Sequence, residues 1–416
     1  MPLGSFRLNS ISMGSSVVPE SYFILYSTDY AQPWNLNVDS NKNMILDNMY
    51  ADCKFLKIAE TGTITWQKQL SITNGNYTGG SWRTAVLDSS GNVIWCMYNG
   101  GTGTNWFVGS INGSSGAANW SSNRNGMTYN YMHQPLIDSS GNIWIPYSGE
   151  SQGKLTLGKF NSSGTFQSDY ALSLYGTYWQ IRSSAIDSSN NKYVFACSGS
   201  SQFDTTLFKW DSSGTYQWSY EVSQSPASGA LTMKCDSSGN VILHRNKYIN
   251  KIDTDGSVVW SKQLSITPTS VSAGNTLDVD SAGNIYFAFE YNNKNQIIKL
   301  NSSGSIVWHR SFNTNSSVSR EGPKLIVKGD NFYLYGTGNV ASGTDGTYIM
   351  KAPTDGTLTG TYSSMVYQSE TSISVSDATC NMYTRSPTAG SGGSTSGSLG
   401  TTLTTISLSN LSKTSL

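Results

Sequence analysis

Charge is what this sequence has least of. Asp, Glu, Lys and Arg make up 12% of the 416 residues, and the formal net charge is zero. That is about half the charged share of an ordinary soluble domain. It leaves no electrostatic footprint for nucleic acid or an anionic membrane surface. Histidine is rarer still: His133, His244 and His309 stand far apart, none at metal-ligand spacing, so neither a metal nor a cofactor is expected. The five cysteines (Cys53, Cys96, Cys197, Cys235, Cys380) are scattered, odd in number and without a CxxC pair. This excludes a zinc module and a disulfide scaffold. Cys96 and Cys197 sit in the apolar runs IWCMY and YVFACS, and read as small buried hydrophobes. No run approaches a membrane span, and MPLGSFRLNSISMGSS has no apolar core of signal-peptide length. No sustained helical period is present either. Ser, Thr, Asn and Gly carry the polarity, with 24 Tyr and 12 Trp. Such a composition is common in β-rich proteins that work outside cells.

What is there repeats. VLDSSGNVIW at Asp88 returns as LIDSSGNIWI at Asp138, AIDSSNNKYV at Asp187, KCDSSGNVIL at Asp236 and DVDSAGNIYF at Asp280. Weaker copies flank these, NVDSNKNMIL at Asp39 and IVKGDNFYL, in which Val327 takes the Asp position. The steps are 49, 50, 49, 49, 44 and 47 residues. A second motif keeps pace: FLKIAETGTITW at Lys57, LGKFNSSGTFQS at Lys159, LFKWDSSGTYQW at Lys209, INKIDTDGSVVW at Lys251 and IIKLNSSGSIVW at Lys299. VGSINGSSGAANW near Ile111 and IMKAPTDGTLTG at Lys351 are irregular copies. Trp66, Trp120, Trp218, Trp260 and Trp308 hold one position, which Ser168 and Gly360 occupy in the other two copies.

Each unit therefore reads as two hairpins of short Val-, Ile-, Tyr- and Trp-rich runs bounded by Ser/Gly/Asn turns. Four strands per unit, seven times over, predicts an all-β fold: a seven-bladed β-propeller with four antiparallel strands per blade. A β-solenoid ranks second. The predicted organisation is an N-terminal tail over 1–20, the propeller over 21–367 and a C-terminal extension over 368–416. The run YFILYS (22–27) is expected to help close the ring by joining the last blade, whose fourth strand near 357–367 is poorly patterned. Within the extension, GSGGSTSGSLG (390–400) is linker-like, and TTLTTISLSNLSKTSL is a short strand or docking tail.

DSSGN has the look of a metal or phosphate site, but its chemistry suits a turn. The Asp accepts a backbone N–H two residues on, and the Gly supplies positive φ. A calcium loop needs several acidic oxygens, and a phosphate loop needs a following helix. The repeated Trp is expected to pack between blades, worth roughly 2–3 kcal/mol each.

The short turns all lie on one face of the disc, so binding is expected on the opposite, variable-loop face. Three consecutive connectors there read NYTGGSWR, MTYNYMH and YGTYWQIR. Arg83, His133 and Arg182 each precede the motif Asp by five residues, among Tyr77, Trp82, Tyr129, Tyr131, Tyr178 and Trp179. Aromatic faces beside charged or amide donors suit sugar rings; the plainer reading is that they fill the rim or meet a partner protein. No catalytic residues are assigned. The loop-face acids Glu150, Glu290 and Glu321 are scattered, where a glycan lyase or hydrolase needs a clustered pair.

The pair DSSGNVIW/DSAGNIYF and KLNSSGSIVW/KWDSSGTYQW resembles β-propeller repeats of the SBBP and quinoprotein-like type. In its Ser/Asn-rich form it resembles repeats of virion structural proteins of tailed bacteriophages. The likeness covers roughly residues 35–365. It implies a non-enzymatic tail, fibre or capsid-surface component, made in the host cytoplasm and carried in the virion in multiple copies through symmetric assembly. Its expected partners are other virion proteins and a host-surface glycan, without membrane insertion. The quinoprotein cofactor residues have no match here. A secreted, extracellular bacterial adhesin or lectin-type propeller is one alternative, and a glycan lyase or hydrolase is another.

Overall fold

The computed structural model describes residues 22–26, 35–48, 54–72, 85–99, 105–124, 131–149, 153–174, 179–198, 204–223, 231–269, 275–313, 323–341, 344–362, 365–389 and 406–409. Every regular element among them is a β-strand, and the strands form seven antiparallel sheets. Blade 1 is Asn35–Val38, Met44–Asn48, Lys54–Ile58 and Ile64–Ile72. Blade 2 is Ala85–Leu87, Val93–Asn99, Asn105–Ile111 and Ala118–Arg124. In blade 3 the first strand is split into Tyr131–Met132 and Leu136–Ile137, before Ile143–Gly149, Lys154–Phe160 and Phe166–Ser173. Blade 4 is Trp179–Ile186, Lys192–Ser198, Asp204–Trp210 and Tyr216–Ser223; blade 5 is Leu231–Cys235, Val241–Arg245, Tyr248–Ile252 and Val258–Leu264. Blade 6 is Leu277–Val279, Ile285–Tyr291, Lys294–Leu300 and Ile306–Asn313. Blade 7 has Lys324–Lys328, Asn331–Ala341 and Thr344–Pro353, with Tyr22–Tyr26 as its fourth strand. First strands of neighbouring blades lie against one another around the axis. The fold is the seven-bladed propeller that the repeat period predicts.

Burial follows position in the blade. Second strands are covered by neighbours on both sides and are continuously apolar, as in Val241–Arg245, where every residue is buried. Outer strands are half-solvated, and Val258–Leu264 buries only Ser261 and Leu264. Seven apolar clusters each join two adjacent blades, the last linking Leu36, Leu46 and Ile58 of blade 1 to Tyr333, Tyr335 and Ile349 of blade 7. The ring is therefore closed through its core.

The turns use the expected chemistry. Asp88 Oδ1 accepts the N–H groups of Ser90 (2.9 Å) and Asn92 (2.8 Å), and Oδ2 accepts the Asn92 side-chain amide (2.9 Å). The same set recurs at Asp39, Asp138, Asp187, Asp236 and Asp280. The seventh copy differs: its hairpin is a residue shorter, with Val327 opposite Phe332 and Lys328 opposite Asn331. Lys328, not Val327, therefore stands where the others carry Asp.

Turn glycines face two different demands. Gly91 has φ +77° with open space where a Cβ would go, whereas a Cβ on Gly164 (φ +80°) would lie 2.3 Å from the Trp120 ring. Gly91→Ala is expected to cost about 1–2 kcal/mol, the left-handed penalty alone. Gly164→Ala must also displace the indole, so its thermal midpoint should fall at least about twice as far. Equal falls in a thermal melt would remove the packing role of Trp120.

The repeated Trp and Lys form a clasp between blades. They face each other across the outer hairpin, as Lys57 with Trp66, Lys209 with Trp218 and Lys299 with Trp308. In each pair both side chains donate to one carbonyl in the outer turn of the next blade. Trp66 Nε1 and Lys57 Nζ reach Gly113 O at 3.1 and 2.8 Å; Trp218 and Lys209 reach Thr254 O at 3.1 and 2.6 Å. Trp308 and Lys299 both reach Thr354 O at 3.1 Å. The expected packing of Trp between blades is thus joined by a shared hydrogen-bond acceptor.

Strands from before the first blade and after the last complete the ring. Tyr22–Tyr26 pairs with Thr347–Lys351, the closure anticipated for YFILYS. After blade 7 the chain turns back along the rim and adds a fifth strand to blade after blade: Met365–Ser369 on blade 6, Val375–Asp377 on blade 5, Asn381–Thr384 on blade 4, Thr388–Ala389 on blade 3 and Ile406–Ser409 on blade 1. This belt keeps one level. Tyr367, Val375, Met382, Ala389 and Leu408 lie opposite Phe312, Leu264, Val222, Leu172 and Leu70, which are equivalent outer-strand positions. Ion pairs pin it at Lys294–Glu370 (3.1 Å), Lys262–Asp377 (2.5 Å) and Arg385–Glu221 (2.5 Å). A boundary drawn between residues 367 and 368 falls inside the first belt strand.

Candidate functional site

Antiparallel alternation puts the hairpin turns on one face of the disc and the variable connections on the other. Of the nine residues expected on that second face, Tyr77, Trp82, Arg83, Tyr129 and Tyr178 lie outside the described residues. Tyr131 is described through its backbone, which pairs with Ser148. The structure places the remaining three: Trp179, His133 and Arg182.

Trp179 is not an open platform. It is 4% exposed, joins the cluster between blades 3 and 4, and meets Phe208 edge-on at 5.8 Å. Its carbonyl accepts the Ser148 hydroxyl at 2.5 Å. Sugar stacking needs a free ring face, which this indole has spent on the core. The expectation is corrected because blade 4's first strand begins at Trp179 itself, earlier than the connector pattern implied.

His133 and Arg182 are brought together across the same junction. His133 lies in the break of blade 3's first strand, where its N–H donates to Pro146 O at 3.0 Å. Its Nδ1 is 2.8 Å from Ser184 Oγ. Burial pulls its pKa down to about 4, leaving a neutral ring. Arg182 occupies a bulge in blade 4's first strand, between the pairs Ile181–Ala196 and Ser183–Phe195. A bulge re-aims its side chain. The guanidinium donates to Gln180 Oε1 at 2.6 Å and to the Cys197 sulfur at 3.2 Å.

Sequence reasoning missed the polar residues that line the axis. First strands present a sheet edge there, and its backbone groups need partners. Neighbouring blades supply them. Ala85 N–H donates to Asp47 Oδ2 (3.2 Å), and Ala85 O accepts the amides of Asn35 (2.5 Å) and Asn37 (3.1 Å). Met233 N–H donates to Ser183 Oγ (3.0 Å), and Val327 N–H to Asp278 Oδ2 (2.7 Å). Asp47 is buried, and burial pushes its carboxyl up to about 8 against the pull of the Ala85 N–H, Lys324 and Asn35. The available signal was a polar residue at an apolar position, as in NLNV and MILDN. Among the described residues, no group of three or more His, Cys, Asp and Glu is placed to hold a metal.

No protein-family model matches the chain, and no curated protein matches it in sequence. Its structural neighbours include the quinohemoprotein alcohol dehydrogenase of Comamonas testosteroni, with TM-score 0.50 and 9% identity over 80% of this chain and 76% of that one. A Dos1 propeller gives TM-score 0.49 and 10% identity over 77% and 78% of the two chains. A europium-containing methanol dehydrogenase gives 0.46 and 9% over 79% and 92%. At such identities the likeness concerns fold alone.

Proposed function

We propose that this chain is a non-enzymatic structural protein of a bacteriophage virion, a tail, fibre or capsid-surface disc present in many copies. Its loop face docks on an adjacent virion protein or a host-surface glycan. One observation supports the non-enzymatic part most: the chemistry-bearing side chains of the described repeats are engaged in holding the scaffold. The motif aspartates fill their own turns, the Lys and Trp of the second motif clasp the next blade, and the three histidines are hydrogen-bonded to Ser184, Asn246 and Gln296. A ring fastened by Tyr22–Tyr26 and by the belt after blade 7 suits a particle component exposed outside cells. The virion assignment itself rests on the Ser/Asn-rich repeat likeness.

The test is to purify particles from a lysate by density gradient and probe them with antiserum to this chain. Gold label at a fixed, repeated position on the particle is expected. Particles free of the chain would overturn the virion reading. In a second arm the purified protein meets host envelope polysaccharide, and no new reducing ends or unsaturated products should form. Their appearance would overturn the non-enzymatic reading.

A further inference from the structure

Blades 4 and 5 meet at a concentration of positive charge. Arg245 ends the second strand of blade 5 and is 5% exposed. A guanidinium stays protonated in proteins, and burying one without an anion is costly. Its Nη1 donates to Thr205 Oγ1 of blade 4 at 2.9 Å, and Thr205 lies directly opposite Cys197. Arg182 reaches the Cys197 sulfur at 3.2 Å from blade 4's first strand. Two guanidiniums thus close on one cross-strand pair.

Neither has a carboxylate partner among the described residues. Among the described side chains, the ionisable groups facing Arg245 are the thiols of Cys197 and Cys380. Glu221, an acid on the outer strand of blade 4, is held by Arg385. The sequence segments 175–178, 199–203 and 224–230, which link strands of blades 3, 4 and 5 along the chain, contain no Asp or Glu.

We propose that the junction of Arg182 and Arg245 is a binding site for an oxyanion, a carboxylate or phosphate-type group that the two planar forks grip together. The site stands independently of the virion reading. Its ligand is either free phosphate or the acidic group of a glycan, and both present the same oxygens.

Titration calorimetry on the full chain, with sodium phosphate and sodium glucuronate each run against chloride at matched ionic strength, tests this. Saturable binding of a single equivalent is expected. Arg245→Gln and Arg182→Gln should each weaken it by roughly tenfold or more, as for loss of a charge-assisted hydrogen bond. Lys328→Gln, on the turn face, should leave it unchanged. Should Arg245→Gln fail to fold, Arg182→Gln carries the test from a less buried position. Tighter glucuronate binding assigns a glycan carboxylate, and tighter phosphate binding assigns free phosphate. No saturable binding to the wild type, or equal binding in both Arg variants, would overturn the proposal. So would binding that appears only in Asp204→Asn, which would make Asp204, next to Thr205 in the chain, the resident counter-ion.

Discussion

Deleting residues 363–416 is expected to lower the thermal midpoint by roughly 10 °C or more and to turn a monodisperse protein into an aggregating one. The belt contributes buried surface first. Tyr367 is 1% exposed within the core between blades 6 and 7, and Ile373 is 3% exposed against blades 5 and 6. Each such side chain is worth about 1.5–3 kcal/mol on area alone. Val375, Cys380 and Met382 add partial burial. At about 2 °C per kcal/mol for a large domain, these losses account for the fall. The ion pairs add less, because Asp377 and Arg385 are exposed enough to be screened. Aggregation has a separate cause: removal frees the outer edges of blades 1, 3, 4, 5 and 6 at one level, a row of unpaired N–H and C=O groups. Differential scanning fluorimetry with light scattering reads both effects. A shorter deletion of 390–416 removes only Ile406–Ser409 from the described belt, and should cost a small fraction of the full loss. An unchanged midpoint after the larger deletion would make the belt a passenger.

The blades were legible in the sequence because turns make chemical demands that few residues meet. Positive φ calls for Gly or Asn, and Asn190 at φ 65° replaces Gly in DSSNN without disturbing the hydrogen bonds from Ser189 and Asn191 to Asp187. The closing strand was legible too, since YFILYS is apolar and lies outside the repeat count. Most of the belt was not. ISLS falls within TTLTTISLSNLSKTSL, where a short strand or docking tail was expected. MVYQS, VSD, NMYT and TA are each too short to carry a period, and their pairing depends on free edges that other blades provide. Side-chain type alone marks the candidate site in the sequence, whereas its geometry depends on which side of a strand each residue faces. That is why Trp179 lies in the core, and why Arg245, inside the apolar run VILHR, carries no signal of its own.

Four residues are expected to make stability peak near pH 7 and fall on both sides. Burial holds His133, His244 and His309 down to about 4 each. The unfolded chain binds these protons from about 6.5 downward and the folded chain refuses them, so stability is lost as pH falls from 6.5 towards 4. At pH 5 each histidine costs about 2 kcal/mol, on the order of 6 kcal/mol together, a large share of a typical 5–15. Unfolding between pH 5 and 4 is therefore expected. Asp47 works in the opposite sense. Its folded pKa of about 8 means the native state keeps a proton that the unfolded chain gives up near 3.8. Its contribution is complete below 3.8 and is lost as pH rises through 8. Between pH 6 and 9 that loss is roughly 3 kcal/mol. Asp47→Asn should flatten the alkaline limb, since an amide still accepts the Ala85 N–H and has no proton to release. His244→Gln should lower the slope of the acid limb by a single proton. Urea melts from pH 4 to 9 measure both slopes, which stay separate from any change in absolute stability that the substitutions bring. An alkaline limb as steep in Asp47→Asn as in the wild type would mean that Asp47 is already ionised in the folded state, paired with the buried Lys324 beside it.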